Sequence, residues 1–251
     1  LGSLNEYKEW ISTLDKMDIF KLIDFTFSSQ GLIKGDRVFN KMKTFFPDKN
    51  IEDLRIPYAA VAADITNMKE VVFTKGSLYD AVRASVAIPT IFTPAKKDNA
   101  VFVDGGVVNP IPLNRVKRTE GDILIASYVN ANIPYDAPVV NKEKEELKNS
   151  IYRQKIMEFR NKLNEILPKN SEEKLNYFSL LTKSTGMLTH ELSLMNIEKY
   201  KPKVLINISR HSGGTFDFFK AEELIETGRL SARKSIEQYD KTMIDNQKVF
   251  L

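Results

Sequence analysis

The chain contains no cysteine among its 251 residues. That excludes a disulfide framework, a thiolate nucleophile and a thiolate metal centre. Histidine is nearly absent too. His190 and His211 are the only two, and they stand far apart in the chain. Neither has a metal-binding partner at a recognisable spacing, so no metal and no other cofactor is expected. No apolar run reaches the length of a membrane-spanning helix. Neither Gly-x-x-x-x-Gly-Lys-Ser/Thr nor Gly-x-Gly-x-x-Gly occurs, so phosphate-cradling nucleotide loops are absent. No serine has glycine at both minus two and plus two. Ser29, Ser184 and Ser212 have the downstream glycine alone. The strand–turn–helix elbow that exposes a catalytic serine is therefore not found in these residues. Residues 1–20 lack the basic-then-apolar pattern of a secretion signal, and a cytoplasmic location is the expectation.

What is present describes a globular protein. Hydrophobic residues make up 42% and charged residues 28%, enough for one large domain with a real core. The formal charge is +4, from 37 basic and 33 acidic residues. A balance this even is mostly a solvated mixed surface. The small basic excess would suit an anionic lipid surface or nucleic acid, but so even a balance carries little weight as evidence for either, and no nucleic-acid partner is expected.

Apolar spacings near three and four through Trp10, Ile11, Leu14, Met17, Ile19 and Leu22 predict a helix over 5–24. Trp10, in that stripe, is expected to pack in the core. A second helix is expected from Asp36, as N-cap, to about Phe46, before Pro47. Residues 55–63 read as a strand buried on both faces, and 70–73 as a short return strand. Ser77 is positioned to cap a helix over 78–86. Further strands are expected at 101–103, 123–129 and 204–208, and a last helix from 217 or 218 to about 239. This alternation predicts an α/β domain with a largely parallel central sheet. Residues 141–200 interrupt it with two helices, 141–167 and 175–197. The second carries Tyr177, Phe178, Leu181, Met187, Leu188, Leu192 and Met195. The two helices are expected to pack on the sheet and on each other, with a lid or lipid-facing surface as the alternative.

The stretch from Val101 to Pro110 carries the chemistry. An apolar run delivers Asp104 onto Gly105 and Gly106, and a second apolar run follows. Asp-Gly is a good hairpin turn, because both residues tolerate positive φ. Alternatively, the strand end presents Asp104 into a cleft, and the glycines permit a close approach. A carboxylate there can act directly as base for a hydroxyl nucleophile.

Three blocks of sequence then resemble the patatin-like phospholipases, the lipid acyl hydrolases. The first is Ile56-Pro57 through Asp64-Ile65-Thr66. The second runs from Ala81 through Arg83-Ala84-Ser85, Ala87-Ile88-Pro89, Phe92 and Pro94, then Asp104-Gly105-Gly106, Asn109 and Pro112. The third is Lys203 to Ile206 followed by Phe218 to Gly228. The resemblance implies a three-layer α/β/α fold over residues 1–251 with a helical insertion at about 141–200. It also implies a serine–aspartate dyad in which Asp104 is the base and Gly105 and Gly106 support it.

In that family the serine elbow and the glycine-rich oxyanion loop precede the helix that the start of this sequence resembles. The expectation is an N-terminally incomplete domain that lacks its first strand or strands and is inactive alone. The resemblance implies a lipid or phospholipid substrate, with peripheral contact to a membrane. A non-catalytic module that binds a lipid or membrane surface is the alternative.

Overall fold

Alanine dominates the centre of the fold, and that lets a helix lie close on a sheet. The computed structural model describes residues 4–28, 31–138, 177–214 and 217–248. Strand β3 (Ala60–Asp64) is buried along its whole length. It pairs antiparallel with β4 (Lys69–Phe73) on one side and with β6 (Ala100–Asp104) on the other. β5 (Ala95–Lys97) completes a four-stranded sheet in the order β4-β3-β6-β5. Helix α4 (Leu78–Ser85) packs on this sheet through Ala81 and Ala84, facing Ala60 and Ala62. Phe73 and Phe102 meet edge to face below it, with ring centroids 5.7 Å apart. Each such buried aromatic or aliphatic side chain contributes about 1.5–3 kcal/mol relative to exposure.

A second core joins β7 (Ile125–Ala131) and β8 (Val204–Ser209), which pair in parallel, to helix α5 (Tyr177–Tyr200). Leu124, Ala126 and Tyr128 pack there with Ile111, Leu113, Ile197 and Tyr200. Helix α6 (Ala221–Lys248) lies against β8, where Ser235 donates to the Leu205 carbonyl at 3.0 Å. A small hairpin, β1 (Phe25–Ser28) with β2 (Gly31–Ile33), stands beside three short helices. These are α1 (Leu4–Thr13), α2 (Lys16–Leu22) and α3 (Asp36–Met42).

The expected α/β character is present, but a largely parallel central sheet is not confirmed. The four-stranded sheet is antiparallel throughout, and parallel pairing among the described residues is limited to β7 with β8 and a single bridge between Ile33 and Phe92. The physical reason is loop length. Two residues, Asp98 and Asn99, connect β5 to β6, both at positive φ. Ile65 to Met68 connect β3 to β4. Links this short join antiparallel strands, whereas a parallel pair needs a crossover. β7 and β8 have that crossover, since α5 lies between them in the chain.

Other boundaries moved for local reasons. The helix expected over 5–24 breaks at Asp15, whose carboxylate accepts from the backbone of Met17 and Asp18 and so starts α2 afresh. Residue 36 is the first helical residue of α3, because Gly35 at φ 84° holds the cap position. Ser77 does cap α4, accepting from the Asp80 N–H at 3.1 Å. Trp10 is half-buried and packs against Tyr7 and Phe45. The helix expected at 141–167 lies outside the described residues. α5 packs on the β7–β8 core through Ile197 and Tyr200, while its Leu181, Met187, Leu188 and Met195 side chains are exposed. No helix among the described residues is long and apolar enough to cross a membrane.

Candidate functional site

Asp104 is the last residue of β6, opposite Ala62 of β3. Its backbone N–H donates to the Ala87 carbonyl at 3.0 Å, which fixes the strand end against the segment after α4. The chain does not then return as a hairpin. Gly105–Val107 form one turn of 3-10 helix with Asp104 at its cap. The turn-between-strands reading of Asp-Gly is therefore overturned, and the two-residue hairpin of this region is at Asp98-Asn99.

Cap geometry aims the carboxylate. Oδ1 accepts from the Gly106 N–H at 2.6 Å. Oδ2 accepts no hydrogen bond among the described residues. Burial pushes the Asp104 carboxyl above its ordinary value, and the Gly106 N–H pulls part of the way back. Desolvation costs the charged form more than the neutral one, so the group becomes a stronger proton acceptor. One oxygen is held and one is free, which is the arrangement a general base needs. Apolar groups stand on both flanking segments: Ile88 and Val108 are about two-fifths exposed, at 42% and 41%.

The two glycines do different things. A Cβ on Gly105 would sit 2.3 Å from the Val61 carbonyl oxygen, so only glycine lets the turn lie against β3. A Cβ on Gly106 would meet the Asp104 carboxylate itself, at 3.0 Å from Oδ1.

Around the turn lies a polar cluster that residue spacing did not reveal. Asn109, 7% exposed, donates through Nδ2 to Glu70 Oε1 and Asn114 Oδ1, both at 2.9 Å. Its Oδ1 accepts from Asn196 Nδ2 of α5 at 2.9 Å. Arg115 holds Glu70 with two bonds of 3.0 and 2.5 Å. The Glu70 carboxyl is drawn below its ordinary value by Arg115, and then by Asn109. Asn109 stood out in the sequence only as part of a motif. Glu70, Arg115 and Asn196 gave no local signal, because their meeting is made by three separate elements.

Arg83 serves the other flank. Its Nη2 lies 2.8 Å from the Lys34 carbonyl, 2.9 Å from the Thr93 carbonyl and 3.0 Å from Thr93 Oγ1. It ties the loop after Pro89 to the end of β2, where Ile33 and the Ile91 and Thr93 backbones also pair. Within that loop Thr90 is held at φ 73°, a strained conformation for a β-branched residue. The histidines join none of this. His190 bonds the Tyr128 hydroxyl, and His211 lies in a turn closed by Ser209. No group of metal-binding side chains occurs among the described residues.

The half-buried carboxylate, the glycine turn and the strand end all fall within residues 2–116, which the patatin-like phospholipase family model matches. An uncharacterized NTE family protein of Mycobacterium tuberculosis is 33% identical over 131 residues, covering 52% of this chain and 36% of that protein. A second from the same species is 25% identical over 236 residues, 92% of this chain and 36% of its own length. The rat patatin-like phospholipase domain-containing protein 7 is 30% identical over 121 residues, 47% of this chain and 9% of the relative. The chain thus spans about a third of the length of the mycobacterial relatives, at 36%.

Proposed function

We propose that this chain supplies the base half of a serine–aspartate dyad in a lipid acyl-ester hydrolase. The observation that carries the reading is Asp104 itself: burial pushes its carboxyl up, one oxygen is held by Gly106, and the other accepts no hydrogen bond among the described residues. The family match adds the substrate class, a lipid, with a phospholipid as the specific case. The nucleophile in this reading is a serine outside residues 1–251, since none within them sits in a Gly-x-Ser-x-Gly elbow. Residues 1–251 then form the larger part of one three-layer domain, with an insertion at about 141–200, completed by the strands that bear the elbow and the oxyanion loop.

In the first step the serine hydroxyl oxygen bonds to the ester carbonyl carbon, and its proton passes to Asp104. The carbonyl oxygen takes the negative charge and is held by backbone N–H donors of the oxyanion loop. Such donors are worth about 3–4 kcal/mol each. Collapse expels the alcohol, which takes the proton back from Asp104. A water molecule then gives its proton to Asp104 as its oxygen bonds to the acyl carbon, and collapse expels the serine oxygen, which takes that proton back from Asp104 as the fatty acid leaves. Asp104→Asn in the intact protein removes the proton acceptor and keeps the shape. Hydrolysis of a short-chain nitrophenyl ester is expected to vanish while the fold survives; undiminished turnover would refute the assignment. The 251-residue chain by itself is expected not to hydrolyse that ester, and labelling by a fluorophosphonate would contradict this.

The outward Leu and Met side chains of α5 favour a second reading, a non-catalytic module that docks peripherally on a membrane. Salt-sensitive co-sedimentation with anionic vesicles, without fatty-acid release, would select it.

A further inference from the structure

We propose that Asn109 is a positioning residue for the Asp104 carboxylate, and that Asn196 makes α5 part of the same support. This rests on the reading of Asp104 as the base. The turn from Asp104 to Asn109 is closed on itself, because the N–H groups of Val108 and Asn109 both donate to the Gly105 carbonyl, at 3.0 and 2.8 Å. A closed turn can still rock as a unit on its strand. Three anchors on different elements prevent that. On the β3 side Gly105 has no slack against the Val61 carbonyl. On the β4 side Asn109 is held by Glu70, which Arg115 fixes in turn. On the α5 side Asn196 donates both to Asn109 Oδ1 and to the Ile111 carbonyl, at 2.9 and 3.2 Å.

The Gly106 peptide connects these anchors to the carboxylate. Its N–H holds Asp104 Oδ1, and its carbonyl faces Thr189 Oγ1 of α5 at 3.4 Å. A shift of α5 therefore moves the donor that aims the carboxylate. The buried amide of Asn109 has both N–H groups and its oxygen engaged. Removing one partner leaves a buried polar atom unsatisfied rather than a harmless gap. None of these side chains hydrogen-bonds the Asp104 carboxylate among the described residues, so they act through the backbone of the turn. For a base, misplacement of about 1 Å is enough to lower the rate on the order of a hundredfold.

Asn196→Ala tests this in the intact protein, because it cuts the network from the helix and leaves the Asp104–Asn109 turn unchanged in sequence. Three quantities are read: kcat and KM for a nitrophenyl ester, the melting temperature, and the pH titration of the Asp104 carboxyl carbon by NMR. Positioning predicts a fall in kcat of tenfold or more with KM within twofold. It also predicts an Asp104 titration displaced toward that of a solvated carboxyl, and partial recovery with Asn196→Gln, which keeps the amide donor. Asn109→Ala should do the same more severely. A lowered melting temperature with kcat and the Asp104 titration both unmoved would mean ordinary packing and overturn the proposal. The two readings fail separately. An active Asp104→Asn variant removes the base assignment, whereas an inactive one beside a fully active Asn196→Ala variant removes the support.

Discussion

Gly105→Ala is the change that the packing around the site resists most. The added Cβ would lie 2.3 Å from Val61 O, 2.6 Å from the Val61 carbonyl carbon and 3.0 Å from Val61 Cβ. A carbon–oxygen contact relaxes near 3.3 Å, so the turn and β3 must part by roughly 1 Å. Gly105 does not have a left-handed φ, so the obstacle is contact alone. β3 cannot yield easily, because it is buried along its length and paired on both sides. The turn can yield only by loosening the bonds that Val108 and Asn109 make to the Gly105 carbonyl. Overpacking of this kind costs about 1–3 kcal/mol, and each loosened bond adds about 1 kcal/mol. The lower chain entropy of alanine returns less than about 1 kcal/mol. The net expectation is a loss of about 2–4 kcal/mol. At roughly 2–4 °C per kcal/mol for a chain of this size, that is a melting temperature lower by about 4–16 °C. Urea unfolding should show the same loss as a lower midpoint at unchanged slope. Gly106→Ala is the matched control: its Cβ would press on Asp104 Oδ1, a side-chain atom that can rotate away. That variant should stay within about 1 kcal/mol of the parent in stability yet lose ester hydrolysis in the intact protein. A Gly105→Ala protein that melts within 2 °C of the parent, by an order-of-magnitude standard for measurable overpacking, would refute the reasoning.

Asp104→Asn should not lower the melting temperature at neutral pH. The folded carboxyl titrates above its unfolded value, so the folded state holds more protons between the two, and stability falls as pH rises through that window. The amide removes that penalty, and the difference should close as pH drops below the ordinary carboxyl range; a clearly lower melt at neutral pH would contradict it. Glu70→Gln should cost about 1 kcal/mol, because it weakens a charge-assisted pair in which Arg115 is partly solvent-screened. Glu70 has the opposite sign to Asp104. Its folded pKa is depressed, so its contribution is present above the ordinary carboxyl range and lost as pH falls through the folded value; pH-resolved melts of both variants would show it. Thr90→Asn should raise stability by about 0.5–1 kcal/mol, since asparagine tolerates the left-handed region better than threonine. Chemical denaturation would measure that gain, and a loss would place the strain elsewhere.

Much of the strand and helix order could be read from the sequence, yet sheet direction could not. Residues 69–73 and 100–104 fall where the apolar runs predicted strands, while the strand expected over 55–63 begins only at Ala60 and residues 55–58 are exposed. Two Asp-led dipeptides six residues apart compete for the turn in this region. Asp104-Gly105 has the favoured hairpin composition and begins a 3-10 turn, while Asp98-Asn99 makes the hairpin. Asparagine and aspartate can each adopt positive φ, so composition alone does not separate the two. The short strand Ala95–Lys97, with two exposed lysines, carries too little apolar pattern to be seen, and without it the hairpin has no partner. The β1–β2 hairpin was not read either, because its strands are only four and three residues long.

The candidate site divides the same way, by sequence distance. Asp104, Gly105 and Gly106 are contiguous, and their contacts are local enough for a motif to expose them. Glu70 lies 39 residues before Asn109 and Asn196 lies 87 after it. α5 hides its share further, because it reverses the usual amphipathic rule. Periodicity selects Leu181, Met187, Leu188 and Met195 as the packing face, but those side chains are outside. The face turned inward carries Thr189, Ser193 and Asn196, with Ser193 almost fully buried. Apolar burial sets only the C-terminal part of that face, where Ile197 and Tyr200 join the β7–β8 core. Before them, Thr189 and Asn196 make hydrogen bonds to backbone and amide groups in and just after the Asp104 turn, groups that would otherwise lack these partners. A helix held by polar contacts to one turn is poorly specified by apolar spacing and tightly specified by that turn. The Leu and Met side chains are thereby left free of the core, which is where a contact with lipid would have to be made.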